Sequence, residues 1–193
     1  MARPREFDPD LVVERAMQVF WAKGYEATSL DDLCEATQLN RSSLYSSFGD
    51  KHTLFLATLD RYGDRAVSMV AAALSKPVHI RESLGAFLAG MVEGIVAGPQ
   101  RTGCFIGNCT AEVSRHDREA ALRIQRNITR IEATFRNAFE QAKKRGDLAP
   151  DCDVEALARY FVVTIQGLRL MGKAISDRDV LEDVVGVMLR SLD

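Results

Sequence analysis

The sequence predicts an all-α protein, and three observations carry that expectation. Apolar residues recur at three- and four-residue spacing, as in Val12, Ala16, Val19 and Phe20. No stretch alternates for long enough to demand a strand. Polar N-caps and terminal glycines or prolines punctuate the chain at helical intervals. The expected layout is about nine helices. A small three-helix domain over residues 1–54 precedes a larger helical domain over 55–193.

The elements follow in order. Asp8-Pro9 is an N-cap with proline at the first helical position, where its missing N–H costs nothing. That helix runs to about Lys23, and Gly24 stops it. Ser29 with Asp32 resembles a capping box and opens a short helix through Leu30, Leu33 and Cys34. A turn near Thr37-Gln38-Leu39 leads to a third helix capped by Asn40. Asp50 caps a fourth, long one reaching about Ser75. Lys76-Pro77 breaks the pattern, and a fifth helix is expected from about Ser83 to Ala97, ending at Gly98-Pro99. After the short segment GCFIGNCTAEV, another helix spans about Asp117 to Arg145, with cations and Gly146 at its negative end. Two more are expected over about 153–172 and 177–191.

Composition narrows the function classes. With 193 residues, 47% hydrophobic, the chain can hold one medium domain or a small domain joined to a larger one. A net charge of −2 exerts no global pull toward nucleic acid or an anionic membrane. MARPREFDPD lacks the apolar stretch of a secretory signal. The longest apolar candidate, AVSMVAAAL at 66–74, is half the roughly 18 residues of a span. Cys34, Cys104, Cys109 and Cys152 form no C-x-x-C pair and no zinc spacing with the histidines. A reducing, cytoplasmic setting without a cofactor or metal is expected. Catalytic signatures such as G-x-S-x-G, G-x-G-x-x-G, a Walker loop or H-E-x-x-H are absent, so no enzyme is expected. His52, His79 and His116 are scattered and read as surface histidines.

Two short helices joined by a tight turn, the second rich in small polar residues, describe a helix-turn-helix. Wound at about 100° per residue, the third helix puts Leu44 and Phe48 together, with Arg41 and Tyr45 on their flank. Ser42, Ser43, Ser46 and Ser47 fill the other side. The apolar side must face the first two helices, leaving the serines outward. Small hydroxyls let a backbone approach base edges and can donate to or accept from them. Arg41 can fork onto a guanine or grip a phosphate, and Tyr45 can reach a phosphate. Lys51 and Ser29 sit at helix N-termini, where an anion is already attracted. The competing reading is a hydroxyl-rich turn in an ordinary bundle.

Residues 24–51, GYEATSLDDLCEATQLNRSSLYSSFGDK, resemble the DNA-binding signature of the TetR family of transcriptional regulators. The matching marks are Gly24-Tyr25, Thr28-Ser29, Leu44-Tyr45, Phe48 and Lys51. The nine-helix layout and DLAPDCDVEALA extend the likeness along the chain. Gln38 departs from the pattern, since the family usually has glycine in this turn. A residue other than glycine there can require a left-handed conformation, costing about 1 kcal/mol.

The resemblance implies a repressor that binds palindromic double-stranded operator DNA as a homodimer, with its last two helices pairing as a four-helix interface. Val154, Leu157, Phe161, Ile165 and Leu168 form one apolar stripe there, and Val180, Val184, Val187 and Met188 another, with intramolecular core as the competing reading of both. The middle helices would surround a ligand pocket, with Phe87, Met91, Phe105, Phe135 and Phe161 as lining and Asn108 and Gln166 as polar orienters; plain core packing is the competing reading for each. Ligand binding would tilt the reading heads through the fourth helix and release DNA. GCFIGNC is similar to a segment of TetR-like repressors that sense electrophiles through cysteine. Beside Arg101, Cys104 can have a lowered pKa and react. Small buried cysteines packing a pocket wall are the competing reading there, and whether Cys104 or Cys109 is a sensor stays open.

Charge is distributed unusually for a DNA reader. Residues 1–55 carry 6 basic and 9 acidic side chains, whereas 101–145 carry 10 basic and 5 acidic. Arg123, Arg126 and Arg130 share a face, expected to be solvated and paired with acids. DNA affinity should then rest on a few placed contacts, doubled in a dimer, with Arg3 and Arg5 in an arm. The alternative function is a helical small-molecule-binding or adaptor protein without DNA binding.

Overall fold

In the computed structural model, residues 7–98 and 102–193 are described. Arg3, Arg5, Pro99 and Arg101, to which the sequence reading gave roles, lie outside them. Among the described residues every regular element is a helix: α1 (Pro9–Lys23), α2 (Leu30–Thr37), α3 (Arg41–Phe48), α4 (Lys51–Leu74), α5 (Ile80–Ala97), α6 (Phe105–Glu112), α7 (Arg118–Arg145), α8 (Val154–Met171) and α9 (Arg178–Arg190).

The helix starts obey local capping chemistry. Asp8 accepts from Asp10 N–H, Asn40 from Ser43 N–H at 2.8 Å, and Asp50 from Thr53 N–H at 2.6 Å. Asp153 and Asp177 cap α8 and α9 in the same way. Ser29 and Asp32 exchange both bonds of a capping box despite the short aspartate. α5 departs from expectation by starting at Ile80 instead of near Ser83. Its cap is His79, whose Nδ1 accepts from Arg81 N–H, while Asp147 accepts from Ile80 N–H. Ile80 is thereby buried, and Ser83 lies inside the helix.

The chain divides into two compact units. One comprises Met1–Tyr62 with Asn108–Gln125, the other Gly63–Gly107 with Arg126–Asp193. In the first, α1 packs on α2 and α2 on α3. Phe20 and Phe55 meet edge to face at 5.2 Å, and Val12, Ala16, Met17, Leu33 and Leu44 are buried. In the second, α9 packs on α5 and α8 around an aromatic cluster of Phe135, Phe139 and Phe161. A methyl group at Gly63 would lie 2.1 Å from Asn127 Oδ1, so the buried Asn127 amide occupies the space a side chain here would need.

The α9 stripe splits. Met188 is fully buried along with Leu181 and Val185, but Val180, Val184 and Val187 face outward. A 3.6-residue period carries those valines onto a neighbouring face.

Gln38 takes the left-handed conformation its position requires, with φ 60° and ψ 27°, among the described residues the one non-glycine with positive φ. Gln38→Gly should therefore raise stability by about 1 kcal/mol and the melting temperature by about 2–4 °C. An unchanged or lower melting temperature by calorimetry would show that the turn carries no strain.

Candidate nucleic-acid interface

α3 is eight residues long, too short to persist alone. Leu44, 2% exposed, is its buried anchor, and Phe48 is half-buried beside it. Arg41, Ser42, Tyr45 and Ser46 are exposed, while Ser43 and Ser47 are intermediate. Ser46 donates its hydroxyl to Ser43 C=O, which leaves its oxygen lone pairs outward. The structure thus presents Arg41, Ser42, Tyr45 and Ser46 on the open side of one helix. Ser29 is exposed, with its oxygen already engaged by Asp32 N–H at 3.1 Å.

Asp32 also accepts from Lys23 Nζ at 2.6 Å. That bond, followed by those from Ser29, lowers its carboxyl to about 2, so the cap stays ionised at neutral pH. Arg41 is docked on Asp31, with Nε at 3.2 Å and Nη2 at 2.7 Å from the same oxygen, Oδ1. Lys51 Nζ stands 4.5 Å over the Tyr25 ring.

Tyr25 is the pivot of this region. Its ring lies 4.5 Å from that of Phe55 and 6.0 Å from that of Phe20. Burial, followed by the carboxylates of Glu26, Asp117 and Asp50, raises its hydroxyl pKa and keeps it neutral. The backbone before it turns at Gly24, with φ 86° and ψ 166°, a region essentially reserved for glycine. Glu112, from the C-terminal end of α6, closes the turn. Its two oxygens accept from Tyr25 N–H at 3.1 Å and Glu26 N–H at 2.9 Å. A methyl group at Gly24 would come within 2.9 Å of Glu112 Oε1. No sequence signal marked Glu112, because its partners lie 86 and 87 residues away.

His52 corrects another expectation. It is half-buried rather than a surface residue, with Nε2 2.7 Å from Asp117 Oδ2. Burial opposes the Asp117 charge, but N–H bonds from Ala120 and Glu119 and the contact with His52 together lower its pKa. His79 and His116 are exposed. Part of the basic surplus of 101–145 is paired with acids. Arg123 bonds to Asp60 and Glu119, Arg130 lies 2.7 Å from Asp64, and Arg145 is 2.7 Å from Asp147.

The expected ligand residues fall into groups. Phe87, Phe135 and Phe161 join one ring cluster, with centroids 6.0–6.4 Å apart, and Met91 packs half-buried against the same core. Cys104 and Phe105 are buried, 4% and 0% exposed. Cys104 Cβ, Cys104 Sγ and Gln166 Oε1 lie 3.5, 4.0 and 3.2 Å from the point where a Gly107 side chain would begin. Gln166 Oε1 is sealed from solvent without a hydrogen-bond partner. Asn108 belongs to the other compact unit. An open cleft of about 1210 Å³ lies instead around Arg81, Glu140, Lys143, Asp147 and Pro150, and its lining includes none of these residues. Charged side chains stand beside Leu148, Ala149, Pro150 and Val154 in this lining, so the cleft is of mixed character.

A short capped helix, anchored by one face and presenting hydroxyls, a phenol and an arginine on the other, defines a helix-turn-helix DNA-binding protein. The family model "Bacterial regulatory proteins, tetR family" matches residues 12–58, and "Tetracyclin repressor-like, C-terminal domain" matches 81–188. The chain belongs to the TetR family of DNA-binding transcriptional regulators, which are not enzymes. It is 34% identical over 194 residues to the uncharacterized HTH-type transcriptional regulator YezE of Bacillus subtilis, covering 100% of both chains. It is also 34% identical over 190 residues to the HTH-type transcriptional repressor ComR of Escherichia coli, covering 97% of this chain and 90% of ComR. Among solved structures, a CifR cysteine mutant complexed with 26 bp double-strand operator DNA superimposes with a TM-score of 0.85 at 30% identity, covering 100% of both chains. No described helix is long and apolar enough to cross a membrane.

Glu112→Ala should remove the charge-assisted bonds to Tyr25 and Glu26 and destabilise the protein by about 2–3 kcal/mol. Hydrogen exchange should speed up at those two amides first, and Glu112→Gln should retain part of their protection. Unchanged exchange at both amides in Glu112→Ala would contradict the clamp.

Proposed function

We propose that the protein is a repressor that binds palindromic double-stranded operator DNA as a homodimer and is released by a small-molecule or electrophile inducer. Residues 1–54 read the DNA, and 55–193 bind the ligand and dimerise. The observation that carries the DNA-reading role is the outward face of α3. Ser42, Ser43 and Ser46 give clearance, while Arg41, Tyr45, Ser29 and Lys51 fix the helix on base edges and phosphates.

Dimerisation through α8 and α9 is supported by their exposed apolar residues. Val163 is 70% exposed, Leu170 59% and Val187 51%, accompanied by Met171, Val180 and Val184. Apolar surface repeated on two consecutive helices is what a self-complementary interface buries. A two-fold dimer also sets paired reading heads for half-sites about 34–36 Å apart. The acid-rich N-terminal residues then leave affinity to few phosphate contacts, which the doubling compensates.

The inducer role is supported by Gln166, whose buried oxygen lacks a donor beside the Cys104 side chain. An unpaired buried acceptor costs about 1–3 kcal/mol, which a donor on a ligand would recover. The ligand must bind the released state more tightly than the DNA-bound one.

Mobility-shift assays with the promoter beside the gene test the reading head. Tyr45→Ala and Lys51→Ala should each abolish or strongly weaken the shift, and log affinity should fall only modestly with log salt. Unchanged shifts in both variants would refute the assignment, and a slope matching ten or more phosphate contacts per dimer would refute the few-contact account. Val187→Asp should convert a dimer to a monomer in sedimentation equilibrium; a wild-type monomer at micromolar concentration would overturn the dimer. Cys104→Ser should blunt release by aldehydes, quinones or hypochlorite, and unaltered release by all three would remove the electrophile branch.

A further inference from the structure

Asp31 lies exposed in the first turn of α2, where a carboxylate suits the positive helix end, while the capping box itself is made by Ser29 and Asp32. The structural partner of Asp31 is Arg41, at the first position of α3. Both groups are well exposed, at 76% and 60% of their side-chain surface. An exposed pair of this kind adds little to stability, commonly below about 1 kcal/mol. What it does fix is the orientation of the guanidinium.

The geometry is specific about which donors are used. Nε and Nη2 both point at Asp31 Oδ1, so the side edge of the guanidinium plane is occupied. A guanidinium carries five N–H donors. Asp31 takes one from Nε and one from Nη2, leaving the second Nη2 proton and both Nη1 protons. One proton on each terminal nitrogen forms the parallel fork at the end of the side chain. Two parallel donors match the two adjacent acceptors of guanine, N7 and O6. Adenine offers one acceptor beside a donor, thymine offers one acceptor, and cytosine offers a donor.

The carboxylate also changes what Arg41 prefers to meet. A lone arginine gains from any phosphate by charge alone. Paired with Asp31, it carries no net local charge, and a phosphate brought to the fork is repelled by the neighbouring carboxylate. A base edge is uncharged and lacks that penalty. The pair therefore trades non-specific attraction for directional hydrogen bonding, consistent with the acidic balance of residues 1–55.

We infer that Asp31 is a specificity-determining positioning residue, holding Arg41 so that its free fork reads a guanine in each operator half-site. The inference rests on the DNA-reading role proposed for α3 and extends it to a residue of α2 that touches no base.

Selection from a randomised duplex library, using the full-length protein, tests it. Wild type should select one strongly preferred G·C pair per half-site that becomes degenerate in Arg41→Ala. Asp31→Ala should lower the guanine preference at that position by about three- to fivefold, leave other positions unaltered, and hold or raise affinity for a scrambled duplex. Asp31→Asn keeps an oxygen that can accept both donors and should restore part of the preference. Full guanine preference in Asp31→Ala, or no Arg41-dependent G·C pair, would overturn the inference while leaving DNA reading intact. Failure of wild type to select any sequence would overturn the DNA-reading role as well. Asp31 is exposed, so unchanged helical circular dichroism is expected in every Asp31 variant.

Discussion

The reading head depends on how a carboxylate closes one backbone turn. α3 has a single fully buried anchor, Leu44, and cannot hold its own place. Its position is inherited from α1, α2 and the start of α4. The Gly24–Thr28 connection joins the first two of these, and Glu112 satisfies its exposed backbone donors at Tyr25 and Glu26. Thr28 closes the same turn from within by donating to Gly24 C=O at 2.5 Å. Once the turn is set, the Tyr25 ring is set, and that ring lies against Phe20, Phe55 and the Lys51 ammonium. The Lys51 ammonium, proposed to meet a phosphate, thus rests on a ring whose backbone is held by a contact that begins in α6.

Electrostatics explain why a DNA reader can carry so few free cations. Arg123, Arg130 and Arg145 are engaged by carboxylates, and Lys23 and Arg41 are paired within the first unit. Each of these cations is thereby less available to attract DNA regardless of sequence. Hydroxyl clearance on α3 and oriented donors around it put the weight on short-range contacts, which discriminate between bases better than long-range charge does. The proposed dimer would offset weak binding by a single reading head, and the outward valines of α9 are the surface proposed to join two.

Local features were legible in the sequence because their causes are local. Asp8, Ser29 with Asp32, Asn40 and Asp50 each cap a helix a few residues away, and the left-handed Gln38 follows from a turn too tight for other geometry. The faces of α3 followed from a period that one buried residue suffices to orient. What escaped was set by distant partners. α5 begins at Ile80 because Asp147, 67 residues on, receives its N–H, and His52 is drawn inward by Asp117, 65 residues on. The α9 stripe divides for a related reason: periodicity finds an apolar face but does not say which half meets the core. For the ligand residues, a phenylalanine in a packed cluster and one lining a pocket share the same sequence pattern.

The central claim is that the outward face of α3 enters the major groove, and methylation interference on a selected operator measures it most directly. Methyl groups on guanine N7 project into the major groove, and those on adenine N3 into the minor groove. The account predicts that guanine N7 methylation within both half-sites abolishes binding while adenine N3 methylation there is tolerated. Interference confined to adenine N3, with guanine N7 methylation tolerated throughout, would contradict it.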